Sequence, residues 1–291
     1  MYALYTQQIF LHTIRLFSSS YRKANGDPFP SALEDCIKAT TWFLRNAETY
    51  KVDPNRIAIV GEGAGGNLAA AVTQRLTFDN RYIDLPAVKF QGLFYPALQA
   101  FDFNLPSYLQ NGNDPSLIYT KRMLATSWSL YLSGNDNLVE LFITNNHTSP
   151  SAKTNSLPSR WLSSDRLQSE HKRNQKDYTT TTRTSKKHGN ENVYNEIKGI
   201  ILDPNFAPML RSELAGLPTT YITIGEYDVV RDENILFADR LEEAGVTVVR
   251  RWYPLGLHGM LPYFMDPFIL TDGKKCMRDF IDYAKNELSV E

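Results

Sequence analysis

The chain has 291 residues, 42% of them hydrophobic and 22% charged, a balance that excludes a collagen-like or fully disordered chain and suits one large α/β domain or two smaller ones. Its 31 Lys+Arg stand against 32 Asp+Glu, so nucleic-acid binding through bulk charge is excluded. The two cysteines, Cys36 and Cys276, cannot build a disulfide framework or a four-cysteine zinc site, and neither a metal nor a cofactor is expected.

The first 17 residues are interrupted by Gln7, Gln8, His12 and Arg15. They read neither as a signal peptide nor as a membrane span, and no transmembrane segment is expected elsewhere. Residues 28–47 predict a helix. Ser31 and Glu34 have capping-box spacing behind Pro30, and Leu33, Ile37, Phe43, Leu44 and Ala47 form its apolar face, with Cys36 on the same stripe. The run RIAIV at 56–60 predicts a buried parallel strand, GEGAGG at 61–66 a turn, and 67–76 a helix. A second buried strand is expected at 88–98, ended by Pro96, and an amphipathic helix at 115–132. Asn146-His147-Thr148 is a glycosylation triplet of a kind frequent by chance.

Residues 151–196 break the pattern, with few large apolar side chains. From Arg160 to Lys187 they carry eight Lys+Arg against three Asp+Glu. A mobile, solvated insertion is expected there; a basic contact surface at 160–187 is the functional alternative. Beyond it, 219–225 predicts a strand, 234–245 a helix ended by Gly245, 246–253 a strand and 273–288 a terminal helix. Alternating strands and helices predict a mostly parallel sheet covered on both faces. Ligands of such sheets bind at the strand carboxyl ends, here the turns at 61–66, 225–228 and 256–259.

GEGAGG has two readings. Gly61, Gly63 and Gly66 satisfy G-x-G-x-x-G between a strand and a helix, the dinucleotide fingerprint. The next strand should then end in an acid for the ribose, but it ends in Phe94, Tyr95 and Pro96. The other reading is a nucleophile elbow, G-x-S-x-G, with Gly61 and Gly65 as flanking glycines and Gly63 at the centre. Its partners, acid then histidine, are Asp228 and His258, 30 residues apart and each following a strand.

Six stretches carry a resemblance: YR at 21–22, DPFPSALEDC at 27–36, DPNRIAIVGEGAGGNLAAAV at 53–72, YPAL at 95–98, EYDVVRDEN at 226–234 and GLHG at 256–259. Together, and in this order, they resemble the hormone-sensitive-lipase branch of the α/β-hydrolases, arylacetamide deacetylase and its relatives above all. The likeness runs from about residue 18 to the C-terminus and is weakest across 151–196. It implies one α/β-hydrolase domain over 1–291 with a partial helical cap from parts of 100–210. It also implies a serine-esterase site. Residue 63 would be the nucleophile position, His258 the base, Asp228 its orienting acid and the Ala64 N–H an oxyanion donor.

The chain departs from the family in two places. The family reads Gly-Asp-Ser-Ala-Gly-Gly where this chain has Gly61-Glu62-Gly63-Ala64-Gly65-Gly66. The family's upstream His-Gly-Gly-Gly has no counterpart among the 62 residues before Gly63. A domain shortened at its N-terminus is therefore expected, with 9–17 as one of its strands and Glu62 aimed away from the substrate. The expected function is a carboxylic-ester hydrolase relative, weakly active or inactive, whose ligand is a small lipophilic ester or amide. The competing readings are a non-catalytic interaction protein and the dinucleotide-binding protein. Endoplasmic-reticulum association is implied by the resemblance alone.

Overall fold

The computed structural model describes residues 14–114, 116–172, 188–264 and 269–289. Four strands, β1 (Ala58–Glu62), β2 (Phe90–Phe94), β3 (Thr219–Gly225) and β4 (Val248–Tyr253), pair in parallel in the order β1-β2-β3-β4. Ten helices accompany them among the described residues: α1 (Ser31–Asn46), α2 (Ala64–Phe78), α3 (Pro106–Gln110), α4 (Lys121–Ser133), α5 (Val139–Ile143), α6 (Pro150–Asn155), α7 (Leu157–Trp161), α8 (Glu191–Ile201), α9 (Arg231–Glu243) and α10 (Thr271–Leu288). None of the described helices is long and apolar enough to cross a membrane.

Strand alternation decides which helix covers which face. Phe90, Phe94 and Tyr221 project onto Phe280 and Tyr283 of α10, and Gly92 leaves room for the Phe280 ring. On the other face Gly61 meets the backbone of α2, and Ile224 lines a cleft together with Ile235 of α9. The parallel sheet with helices on both faces is therefore as expected for an α/β-hydrolase. Its central strands β2 and β3 are almost wholly buried.

Several local expectations need correction. β1 lies two residues later than expected and is only half-buried, with Val60 43% exposed. It is an edge strand among the described residues, bonded to β2 alone. Residues 14–17 form no strand; Phe17 instead stacks on Phe43 and Trp42 of α1. Positions 9–13 lie outside the described residues. The capping box does not form, because Pro30 is the N-cap of α1 and Ser31 is already helical. Arg22 fastens the helix start by a fork onto Asp35, donating from Nε (2.9 Å) and Nη2 (2.9 Å). α9 starts at Arg231, three residues before the expected helix, because its charged first turn is buried and paired: Arg231 reaches Asp232 (2.8 Å) and Glu226.

The flanks of 151–196 are folded rather than a mobile insertion. Ala152, Leu162 and Leu167 are buried in the main core, and α8 buries Ile197 and Ile201 against it. The rest of that expectation, 173–187, and with it most of the basic stretch at 160–187, lies outside the described residues.

Candidate active site

β1 ends in Glu62 and α2 begins at Ala64, so Gly63 alone makes the turn between them. Its φ of +54° and ψ of −114° are backbone angles that a side-chain-bearing residue adopts only under strain. Two other glycines enforce that turn. A Cβ on Gly61 would lie 2.0 Å from the Gly65 carbonyl oxygen, and one on Gly66 2.9 Å from Pro96 Cβ. Gly65 itself has nothing within 4 Å of such a Cβ, so Gly61 and Gly66, rather than Gly61 and Gly65, are the tight pair. The sharp turn is locked further by Gly63 N–H donating to Phe94 O (3.0 Å). Its glycines are thus taken up by internal packing of strand on helix, which accounts for the G-x-G-x-x-G pattern without a pyrophosphate.

The acid and the histidine come from loops at the same edge of the sheet. Asp228 follows β3 and is fully buried; His258 follows β4. His258 Nδ1 stands 3.0 and 3.2 Å from the two carboxylate oxygens of Asp228. That contact fixes the other ring nitrogen, Nε2, toward the turn. A Cβ built on Gly63 would be 3.2 Å from His258 Nε2. Gly63, Asp228 and His258 are therefore brought together, though they lie far apart in sequence. Ala64 opens α2, where the first N–H groups of a helix have no intrahelical acceptor.

A family model of the α/β-hydrolase fold matches residues 11–158 and 141–262. The chain belongs to the α/β-hydrolase family. Among curated relatives, neutral cholesterol ester hydrolase 1 of Mus musculus is 37% identical over 94% of this chain and 65% of its own length. Arylacetamide deacetylase of Bos taurus is 38% identical over 85% of this chain and 60% of its own. The chain thus spans less than two thirds of the length of these relatives. Solved structures share the fold: an esterase of Pyrobaculum calidifontis superposes with a TM-score of 0.60 at 23% identity, covering 92% of this chain and 64% of that one. A bacterial heroin esterase gives 0.58 at 21% identity, covering 93% and 64%.

Three further residues shape the candidate site: Tyr95, from the YPAL stretch, and Tyr119 and Asn111, which no motif marks. Tyr95, just beyond β2, donates from Oη to Glu62 Oε1 (2.8 Å) and accepts the Leu261 N–H (3.1 Å), tying the histidine loop to β1. Its φ of +34° is unusual for a bulky residue and is held by Tyr95 N–H donating to Thr223 Oγ1 (3.1 Å). Tyr119 stacks on the imidazole at 4.3 Å between ring centroids, and its Oη shares a hydrogen bond with Ser127 Oγ (3.0 Å). Asn111 donates from Nδ2 to the main-chain oxygens of Glu226 (3.1 Å) and Asp228 (2.9 Å), pinning the acid loop.

Burial raises the Glu62 carboxyl above its ordinary value, opposed by the Tyr95 hydrogen bond and by His258. Glu62 is therefore held by Tyr95 beside the site. Burial pushes the Tyr95 hydroxyl well up, with the Glu62 charge adding to it. No sequence signal marked Tyr119 or Asn111, since both reach the site across more than a hundred residues of chain.

Proposed function

We propose that this hydrolase keeps the acyl-binding site of its family with glycine in the seat of the attacking residue. It is then a carboxylic-ester hydrolase relative of weak or no activity that binds small lipophilic esters or amides. The observation that carries this reading is the strained backbone of Gly63 facing His258 Nε2 across 3.2 Å of would-be Cβ contact, with Asp228 behind the ring. A glycine gains nothing from such a conformation; a nucleophile presented at the tip of a sharp turn does.

The roles follow from the positions. A hydroxyl on residue 63 would attack the ester carbonyl while His258 Nε2 takes its proton. Asp228 would hold the ring in the Nδ1–H tautomer and stabilise the imidazolium. The Ala64 N–H would donate to the oxyanion. With glycine there, no acyl-enzyme forms. What remains is His258 as a base toward water and the backbone donor, a remnant worth about 10³–10⁴-fold over the uncatalysed rate. The names of the relatives, a cholesterol ester hydrolase and an arylacetamide deacetylase, fit a lipophilic acyl ligand.

The test is turnover of a short-chain aryl ester by the purified chain. The reading expects a rate near background, a rise of at least about a hundredfold in Gly63→Ser, and a return to background when His258→Ala is added. Turnover by the unaltered chain at ordinary esterase rates, about 10 per second, and abolished by His258→Ala, would overturn it.

A further inference from the structure

At the opposite end of α2 from the elbow lies a cleft of about 370 Å³ lined by two arginines, Arg75 and Arg211, each held by its neighbours through part of its guanidinium. Arg75 donates from Nε to Asp79 Oδ2 (3.0 Å) and from Nη1 to Asn205 Oδ1 (3.0 Å). Arg211 donates from Nε to Gln74 Oε1 (2.9 Å), and its Cζ lies 4.9 Å from the centroid of the Phe78 ring. Gln74 is 1% exposed and donates from Nε2 to Pro208 O (2.9 Å), so Arg211 leans on a fixed amide and a fixed ring. Among the described residues, Arg75 Nη2 and both terminal nitrogens of Arg211 have no hydrogen-bond acceptor.

The charges around the cleft do not cancel. Arg75 and Arg211 line it with one carboxylate, Asp79, which Arg75 shares with Arg81 outside the lining, while Asp203 nearby accepts from the N–H and Nδ2 of Asn205. Burial holds the Arg211 guanidinium below its ordinary value, against the pull of Asp203 and helped by the like charge of Arg75. The carbonyl end of α2 disfavours an anion here. Against it stand the unused Nη2 of Arg75 and the unused Nη1–Nη2 edge of Arg211, held in place by their partners.

We propose that the cleft binds a phosphate-type oxyanion between Arg75 and Arg211. A tetrahedral oxyanion has acceptors enough for both the Arg75 Nη2 and the free Nη1–Nη2 edge of Arg211. The volume exceeds that of a bare phosphate, so the anion is either free phosphate or the phosphate of a phosphomonoester or lipid headgroup.

The experiment uses the full chain, with calorimetric titration and thermal melting. The probes are inorganic phosphate, glycerophosphate and phosphatidylcholine vesicles containing phosphatidic acid, each against sodium chloride at equal ionic strength. A saturable response to a phosphate probe that chloride does not reproduce is expected. It should weaken at least roughly tenfold in Arg211→Gln, the loss of charge-assisted hydrogen bonds. If Arg211→Gln does not melt cooperatively, Arg211→Lys is read instead, since it keeps the charge, loses the fork and should bind several-fold more weakly. Whichever probe binds tightest identifies the source of the phosphate. No saturable response to any probe, or a response undiminished in cooperatively melting Arg75→Gln and Arg211→Gln or Arg211→Lys, overturns the proposal.

Discussion

The loops after β3 and β4 carry a hydrogen-bonded imidazole–carboxylate pair, whereas the turn after β1 carries Gly63, a strained backbone with no side chain on it. β3 is bonded to a strand on each side, and its acid loop is pinned from outside by Asn111 and from within by Val230 N–H donating to Asp228 Oδ1 (2.9 Å). β1 has one strand neighbour among the described residues and exposes Val60. The turn at Gly63 is nonetheless sharp, because Gly61 against Gly65 and Gly66 against Pro96 shape it. The two halves therefore depend on different forces. Hydrogen bonds and burial fix the half with Asp228 and His258, and backbone close-packing fixes the half with Gly63.

The strongest way to break the comparison is to rejoin the halves and then cut one. In a Gly63→Ser background, Asp228→Asn should lower aryl-ester turnover by roughly 10³–10⁴, because the histidine loses its tautomer and the imidazolium its partner. A loss below about tenfold would mean that the carboxylate is only structural. Next in size is the packing claim. A methyl at Gly61 cannot fit against the Gly65 carbonyl, so Gly61→Ala should destabilise by about 3 kcal/mol or more in denaturant melts.

A smaller effect separates the buried acid loop from the elbow by pH. Glu233 accepts from Leu98 N–H (2.7 Å), Gln99 Nε2 (3.2 Å) and the Tyr108 hydroxyl, yet burial pushes its carboxyl up to about 8. A raised carboxyl releases its proton later in the folded state than in the unfolded one. Its contribution is thus fully present below the ordinary value of 4.5 and is lost as pH rises toward about 8. Melting temperature relative to Glu233→Gln should fall across that window; a constant difference would refute the assignment. The smallest effect is the counterpart of Gly61: Gly65→Ala, with open space at its Cβ, should change stability by no more than about 0.5 kcal/mol, in the stabilising direction.

The parts that were legible in the sequence are those a local pattern encodes. A β-branched run, a glycine turn and an alanine-rich helix place Gly63, and Asp228 and His258 each follow a strand. What escaped depends on partners remote in the chain. Arg231, Asp232 and Glu233 look like a solvated helix entry, yet they are buried because Glu226, Ser107 and Tyr108 satisfy them. Tyr95 is marked by the YPAL stretch and as a strand end but with no role, and its hydroxyl joins Glu62 to Leu261 across the site. Gly65 matched the elbow pattern, although the crowding falls on Gly66 instead. The half-burial of β1 was hidden as well, since composition reports a strand's apolarity and not how many neighbours it has.

The central claim, that residue 63 faces a working imidazole and carboxylate, is tested most directly by covalent capture. A fluorophosphonate reacts only with a hydroxyl whose proton a neighbouring base removes. Incubated with Gly63→Ser protein and read by intact mass and peptide mapping, it should add one phosphonyl group at position 63, and none once His258→Ala is also present. A folded Gly63→Ser protein that stays unlabelled, or labels equally well without His258, would contradict the account.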